Sequence, residues 1–233
     1  MAASNELTIL LEAGRRRLYP SIRDPNWLVL RRRREIFRIW LNKLPMQHPA
    51  VLDVGGRIQP YRELVNQPRR YCAIDLRANN LISAVASAEQ MPFRDGIFDL
   101  VICTQMIEYT PHPLMVIREI HRVLRPGGVL LLSAPTIFPR DSEHDRWRFF
   151  PPALADLLRG FSEVEIVPET SSAAGFFRTI AVGCNAAVHR KLLKAILSVV
   201  LFPAVNCIGA MLNRSQGQQP GSFTVNYSVR AVK

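Results

Sequence analysis

Two acids and a histidine stand where a small-molecule site would need them. Asp53 lies near the end of an apolar run, Ala50 to Val54, followed at once by Gly55 and Gly56. Asp75 closes a second run that begins at Arg70. An acid at the tip of the strand after a glycine turn is set to bind both hydroxyls of a ribose. Two further apolar runs, Phe98 to Cys103 and Val129 to Ser133, follow in order. In open α/β sheets ligands bind beyond the carboxyl ends of the strands, which puts Thr104 and Gln105 beside a ligand, opposite Asp53. His144 sits in a polar, aromatic loop between Thr136 and Phe149. An imidazole titrates near neutral pH and could take the proton of an acceptor hydroxyl. Alternatively, His144 with Asp141 or Asp145 only fixes the loop. These residues lack metal-ligand spacing, and no metal site is expected.

The elements that must carry these residues are legible. The run Phe98–Cys103 reads as a strand buried on both faces. Leu114, Ile117, Ile120 and Leu124 recur at helical spacing, and Pro126-Gly127-Gly128 turns the chain into the strand from Val129. A strand–helix–strand unit of this length implies a parallel pair with a right-handed crossover. Further strands are expected at 70–75, 81–85, 161–167 and 223–232, with short helices at 60–66 and 152–159. Asp24-Pro25 reads as a helix start, with the helix running from about Asn26 to Leu44 and arginines off its apolar side. That helix either covers the sheet with a solvated basic face or forms a lid or membrane-facing surface.

The wording of residues 98–128 is more specific than this. Phe98-Asp99-Leu100-Val101, then Glu108-Tyr109, then Arg118-Glu119-Ile120-His121-Arg122-Val123-Leu124-Arg125-Pro126-Gly127-Gly128 resembles the middle of the class I S-adenosylmethionine-dependent methyltransferases, in the branch acting on small molecules and lipids. The resemblance covers about residues 50–168. It implies a doubly wound, seven-stranded, mostly parallel α/β sheet of Rossmann-like type with its last strand antiparallel. The chain as a whole then divides into an N-terminal helical extension (1–48) and a methyltransferase domain (49–233) with an apolar helical insertion at about 176–216. The implied cofactor is S-adenosyl-L-methionine, held by Asp53, Gly55, Gly56, Arg57, Asp75, Leu76, Ala88, Glu89, Thr104 and Gln105. Arg57 and Gln59 replace the second and third glycines of the family's loop, and Arg57 could pair with the cofactor's carboxylate. Ser87 replaces the family's adenine-binding acid. His144, Trp147, Arg148, Phe149 and Pro151 match a further family pattern, and His144 and Tyr109 are the catalytic candidates.

Composition sets the remaining bounds. The chain has 233 residues, 48% of them hydrophobic, and a net charge of +11, enough apolar content for a sizeable core. The charge suits an anionic membrane surface or anionic substrate; no nucleic-acid motif is present. Cys72, Cys103, Cys184 and Cys207 are widely spaced and read as reduced thiols of a cytoplasmic protein. No secretory signal pattern opens the chain. Ala195–Asn213 carries no charge. Its length suits a bilayer span, but a span would put the final strand across the membrane from its sheet. It reads either as an interfacial or re-entrant hairpin at the inner membrane face, or as a helical pair buried on the domain or in a homodimer. Two functions remain: methyl transfer to a small-molecule, sugar or lipid-linked acceptor, or a catalytically degenerate relative with a structural or membrane-associated role. A nicotinamide oxidoreductase is disfavoured because G-x-G-x-x-G is incomplete.

Overall fold

The computed structural model describes residues 2–216 and 223–233. Seven strands form one sheet: β1 (Ala50–Val54), β2 (Arg70–Asp75), β3 (Ala84–Val85), β4 (Phe98–Thr104), β5 (Leu124–Pro135), β6 (Glu163–Pro168) and β7 (Asn226–Val232). Their order across the sheet is β3-β2-β1-β4-β5-β7-β6. The first five are parallel, and β7 runs antiparallel between β5 and β6. This is the expected architecture. The third strand is shorter than the sequence suggests: Leu81 leaves the ladder because its carbonyl accepts from Gln59 Nε2 at 2.6 Å.

The motif residues of 98–128 mostly hold the scaffold. Buried Asp99 accepts from Ala50 N at 2.6 Å and Arg69 at 2.9 Å, and pairs with Arg125. It therefore fixes where β1 enters the sheet beside β4. Glu119 accepts from Met91 N at 2.7 Å, while Arg122 donates to the carbonyls of Met91 and Phe93. Helix α3 (Pro113–Val123) thus clasps the 91–95 turn, and His112 is its N-cap residue. Val129 pairs with Leu100 and Leu124 with Phe98, so Arg125–Gly128 loops out of β5. Gly127 turns there at φ +74°, a conformation glycine adopts without steric cost.

One sheet face packs Leu52, Val54, Val101 and Cys103 against Val116, Ile117 and Ile120 of α3 and Leu154 of α4 (Pro151–Leu157). The other packs Val51, Leu100, Ile102 and Leu131 against Ile36, Phe37, Trp40 and Leu41 of α2 (Trp27–Asn42). Phe37 is wholly buried, a burial worth about 1.5–3 kcal/mol. Helix α2 is therefore a layer of the domain. It begins at Trp27, one residue after the expected Asn26, with Asp24 Oδ1 accepting from Asn26 N in a turn. Its basic run is not wholly solvated either: Arg33 is 1% exposed. Helix α1 (Ala2–Leu18) lies on the loop after β1, with Gly14 against the Ile58 carbonyl.

Between β6 and β7 come α5 (Ser172–Ala187), α6 (Lys191–Ile196), a π turn (Leu197–Leu201) and α7 (Phe202–Gln216). Residues 191–213 form one continuous helix, so the hairpin expected within 195–213 is replaced by a rod. Pro203 has no amide to bond residue 199 and its ring crowds that carbonyl. The π turn absorbs this: Phe202 N bonds Leu197 O, five residues back, and the helix continues. Phe202 and Val205 pack on Ala181 of α5. Leu192, Ile196, Val199 and Val200 remain exposed.

Candidate active site

The carboxyl ends of the parallel strands build two adjoining halves. The first lies over β1 and β2. Asp53 is 3% exposed and accepts from Tyr71 OH at 2.8 Å. Burial pushes its carboxyl up to about 7, against the lowering effect of the Tyr71 bond. The loop above it is closely packed. Gly55 sits at φ +76°, where an added Cβ would stand 2.8 Å from Met106 Cγ; at Gly56 it would stand 2.7 Å from Asp53 Cγ. Asp75 ends β2 with Oδ1 accepting from Arg77 N at 2.9 Å, and no described residue bonds its other oxygen. Beside it Leu76 is 74% exposed, an apolar face open for a flat ring. A half-free acid, an open apolar face and a glycine cradle fit a nucleoside with vicinal hydroxyls.

Neighbouring positions are less uniform. Arg57 is exposed, with its backbone carbonyl accepting from Asn79. Gln59, at φ +42°, has its amide tied to Leu81 and Arg62. Ser87 Oγ accepts from Glu89 N. Ala88 packs partly buried against the core, while the Glu89 carboxylate accepts from Thr110 Oγ1 and, at 3.1 Å, from His112 N. Those bonds hold Glu89 below the usual carboxylate range.

The second half is a cavity of about 170 Å³ over β4 and β5, smaller than the ~300–1,000 Å³ typical of drug-sized ligands. Arg17, Arg33, Arg148 and Arg178 line it with Glu108 and Asp141. The halves meet at two consecutive residues: Met106 over Gly55, and Gln105 in the cavity wall. Gln105 is held at φ +51°, its amide donating to Ser133 Oγ at 3.3 Å and Asn226 Oδ1 at 3.2 Å. Thr104, half-buried, ends β4 just before it.

Glu108 is 2% exposed, and its Oε2 has no hydrogen-bond partner among the described residues. Burial raises its carboxyl to about 8, although Arg33 and Arg17 pull it down. Tyr109 donates to Asp141 at 2.7 Å; burial and that bond raise its phenol, so it remains protonated. His144 does not line the cavity. Its side chain is 68% exposed, 3.6 Å from Glu143. Trp147 and Arg148 brace the loop instead: Trp147 Nε1 donates to Thr110 O at 2.8 Å, and Arg148 forms a two-pronged pair with Asp145. The sequence places Glu108 beside Tyr109 facing the region where the methyl group leaves, but gives it no catalytic role, and it does not select Arg33 or Arg178. Glu108 was signalled by its place after β4, but nothing local marks the arginines, which arrive from α2 and α5.

The family model described as "Methyltransferase domain" matches residues 52–132, from β1 into β5. Residues 52–132 thus carry the methyltransferase-domain pattern of the S-adenosylmethionine-dependent class. Its sequence is similar to the ubiquinone biosynthesis O-methyltransferase of Pseudomonas aeruginosa, 46% identical over 61 residues, 26% of this chain and 24% of that protein. It is also similar to the ubiquinone/menaquinone biosynthesis C-methyltransferase of Brucella anthropi, 30% identical over 117 residues, 48% of this chain and 42% of that protein. These alignments span less than half the length of either relative. Among solved structures, a Haemonchus contortus phosphoethanolamine N-methyltransferase shares the fold at TM-score 0.53 and 14% identity, over 94% of this chain and 60% of that one.

Proposed function

We propose that the protein transfers a methyl group from S-adenosylmethionine to a small acceptor held in the arginine-lined cavity. The observation that carries this reading is the junction at Gln105 and Met106, one residue facing the cavity and the next covering Gly55. A cofactor on one side and an acceptor on the other would be separated by a single residue step. Asp75 would hold the ribose, Leu76 the adenine face, and Gly55, Gly56 and Arg57 the methionine end, with Thr104 and the backbone of Ala88 and Glu89 completing the wall. S-adenosylmethionine supplies a methyl already activated on a sulfonium. The protein's task is therefore to align the acceptor, exclude water and accept a proton.

Glu108 is the group we assign to that proton. It is buried at the cavity, has an oxygen without a partner, and titrates near the working pH. As an acceptor hydroxyl gains the methyl on oxygen, its proton passes to the Glu108 carboxylate. Tyr109, held by Asp141, positions the loop, and His144 lies outside the lining. Calorimetric titration with S-adenosylmethionine, with NAD as control, tests the reading. Micromolar binding of the former alone supports it. No binding favours the degenerate, non-catalytic alternative, in which Arg57 and Gln59 have closed the cofactor half.

A membrane-bound setting for this reaction is supported by the exposed apolar flank of α6 and the π turn. Arg190, Lys191 and Lys194 lie beside Leu192, Ile196 and Val200, a pairing of apolar and cationic groups that suits an anionic bilayer surface. Docking by this flank leaves β7 on its own sheet, which a membrane crossing would not. Co-flotation with phosphatidylglycerol-containing vesicles at low salt is expected. Absence of co-flotation removes the membrane from the proposal and leaves the methyl transfer intact.

A further inference from the structure

The charges around the cavity do not balance among themselves. Arg33 is paired with Glu169 by Nε–Oε1 at 2.9 Å and Nη2–Oε2 at 3.0 Å. Arg148 is paired with Asp145, and Asp141 accepts from Tyr109. Glu108 is the remaining lining acid, and with its carboxyl raised to about 8 it is mostly uncharged at neutral pH. Two guanidiniums are left over. Arg17 makes no ion pair or hydrogen bond among the described residues. Arg178 is 5% exposed and bonded only to neutral oxygens, Ile137 O at 3.1 Å and Asn26 Oδ1 at 2.6 Å.

Arg178 is built to receive something. Its guanidinium lies over the Phe138 ring at 4.7 Å, which fixes its plane. Its Nε–H is buried with no acceptor among the described residues. Asn26, the residue before α2, makes no capping bond to that helix and gives its carbonyl oxygen to Arg178 instead. Burial and the nearby Arg33 charge lower Arg178 to about 10, so it still carries its charge at neutral pH. A buried guanidinium without a counterion is costly. The group that best completes it is a planar or tetrahedral oxyanion gripped through paired N–H donors.

We infer that the acceptor carries an anionic group, a carboxylate or a phosphate monoester, bound by Arg178 with Arg17 alongside. This rests on the reading that the cavity holds the acceptor, and it deepens that reading by naming the substrate's charge. Neutral phenols or alcohols of the same size would leave Arg178 uncompensated and bind more weakly. The small cavity admits the anionic head and the methylated atom, with any longer tail directed outward.

The test uses the full chain and three probes: benzoate for a carboxylate, phenyl phosphate for a phosphomonoester, and benzyl alcohol as neutral control. Thermal-shift and calorimetric titrations should show saturable binding of at least one anion, at least tenfold tighter than benzyl alcohol. Arg178→Met should weaken it at least tenfold, Arg178→Lys should restore part of it, and S-adenosylmethionine affinity should stay within twofold. Which anion binds decides between carboxylate and phosphate. If Arg178→Met does not fold by near-UV circular dichroism, Arg17→Ala serves, with a several-fold loss expected. Equal binding of benzyl alcohol, no anion binding to the folded wild type, or undiminished binding by a folded Arg178→Met overturns the inference. Anion binding without S-adenosylmethionine binding would leave this inference standing while the methyl-transfer reading fails.

Discussion

Arg33 in α2 and Glu169 just after β6 face each other as a buried two-pronged ion pair, 136 positions apart in the chain. Ser133 of β5 and Ser228 of β7 donate to the same carboxylate at 2.9 and 2.7 Å. Helix α2, the end of β6, and strands β5 and β7 thus converge on one oxygen, Glu169 Oε1, directly beside the cavity.

Removing one member strands the other. Arg33→Ala is expected to destabilise the fold by about 3–5 kcal/mol, because it leaves a buried carboxylate without its cation. The double variant Arg33→Met/Glu169→Gln should recover much of this. Urea denaturation checks both, and a single variant within 1 kcal/mol of wild type would contradict the account.

Asp53 and Glu108 should make the protein more stable in mild acid. Their folded-state values, about 7 and about 8, lie above the usual carboxylate range. The unfolded chain therefore releases protons first, and stability falls as pH rises from about 4 toward 8. Asp53→Asn should raise the Tm at pH 8 by several degrees, at about 2–4 °C per kcal/mol for a chain of this size, and leave it nearly unchanged at pH 4.

Turnover should climb with pH and level off above about 8 if Glu108 takes the proton. Arg33 and Arg17 lower that value, while Asp145 raises it. Glu108→Gln is expected to abolish the rise and cost about 10²–10⁴-fold in kcat, with cofactor affinity kept. His144→Gln should alter neither, and a loss of the pH dependence there would transfer the role to the imidazole.

Asp75→Ala should weaken S-adenosylmethionine binding by one to two orders of magnitude, from the loss of charge-assisted bonds worth about 1.5–3 kcal/mol. Circular dichroism should show an unchanged fold, since the only described partner of that carboxylate is Arg77 N. Unchanged cofactor affinity would move the ribose elsewhere.

Gly14→Val tests whether α1 supports the cofactor half. An added Cβ there would stand 2.1 Å from Ile58 O, a backbone atom that cannot swing away. We expect α1 to lift from the 57–60 loop, at about 1–3 kcal/mol, with weaker cofactor binding read by calorimetry.

The sheet and its two helical faces were legible because period and punctuation carried them: the all-apolar β1 and β4, the α3 stripe, the Pro-Gly-Gly turn. The half of the candidate site set by strand ends was legible for the same reason, since Asp53, Asp75 and Gln105 each lie within one residue of a strand's end. The cavity was not. Arg33 sits in a run of four arginines that look alike in sequence, and only the packing of Phe37 and Trp40 turns one of them inward. Arg178 belongs to an apolar helix whose partner could not be read from spacing. The 195–213 segment misled for a local reason: Pro203 suggested a break, and a π turn removed the need for one.

The position of β7 also sets an order of events. It is synthesised after the other six strands of the sheet, yet it lies between β5 and β6, and β6 pairs with no other described strand. Until residues 226–232 arrive, β6 has no sheet to join, and Ser228 is missing from around Glu169. Closing that gap brings together segments separated by the whole α5–α7 excursion, a non-local step of the kind that slows folding. The sheet is thus completed only when residues 226–232 are in place, and the surroundings of Glu169 beside the arginine-lined cavity are completed with it.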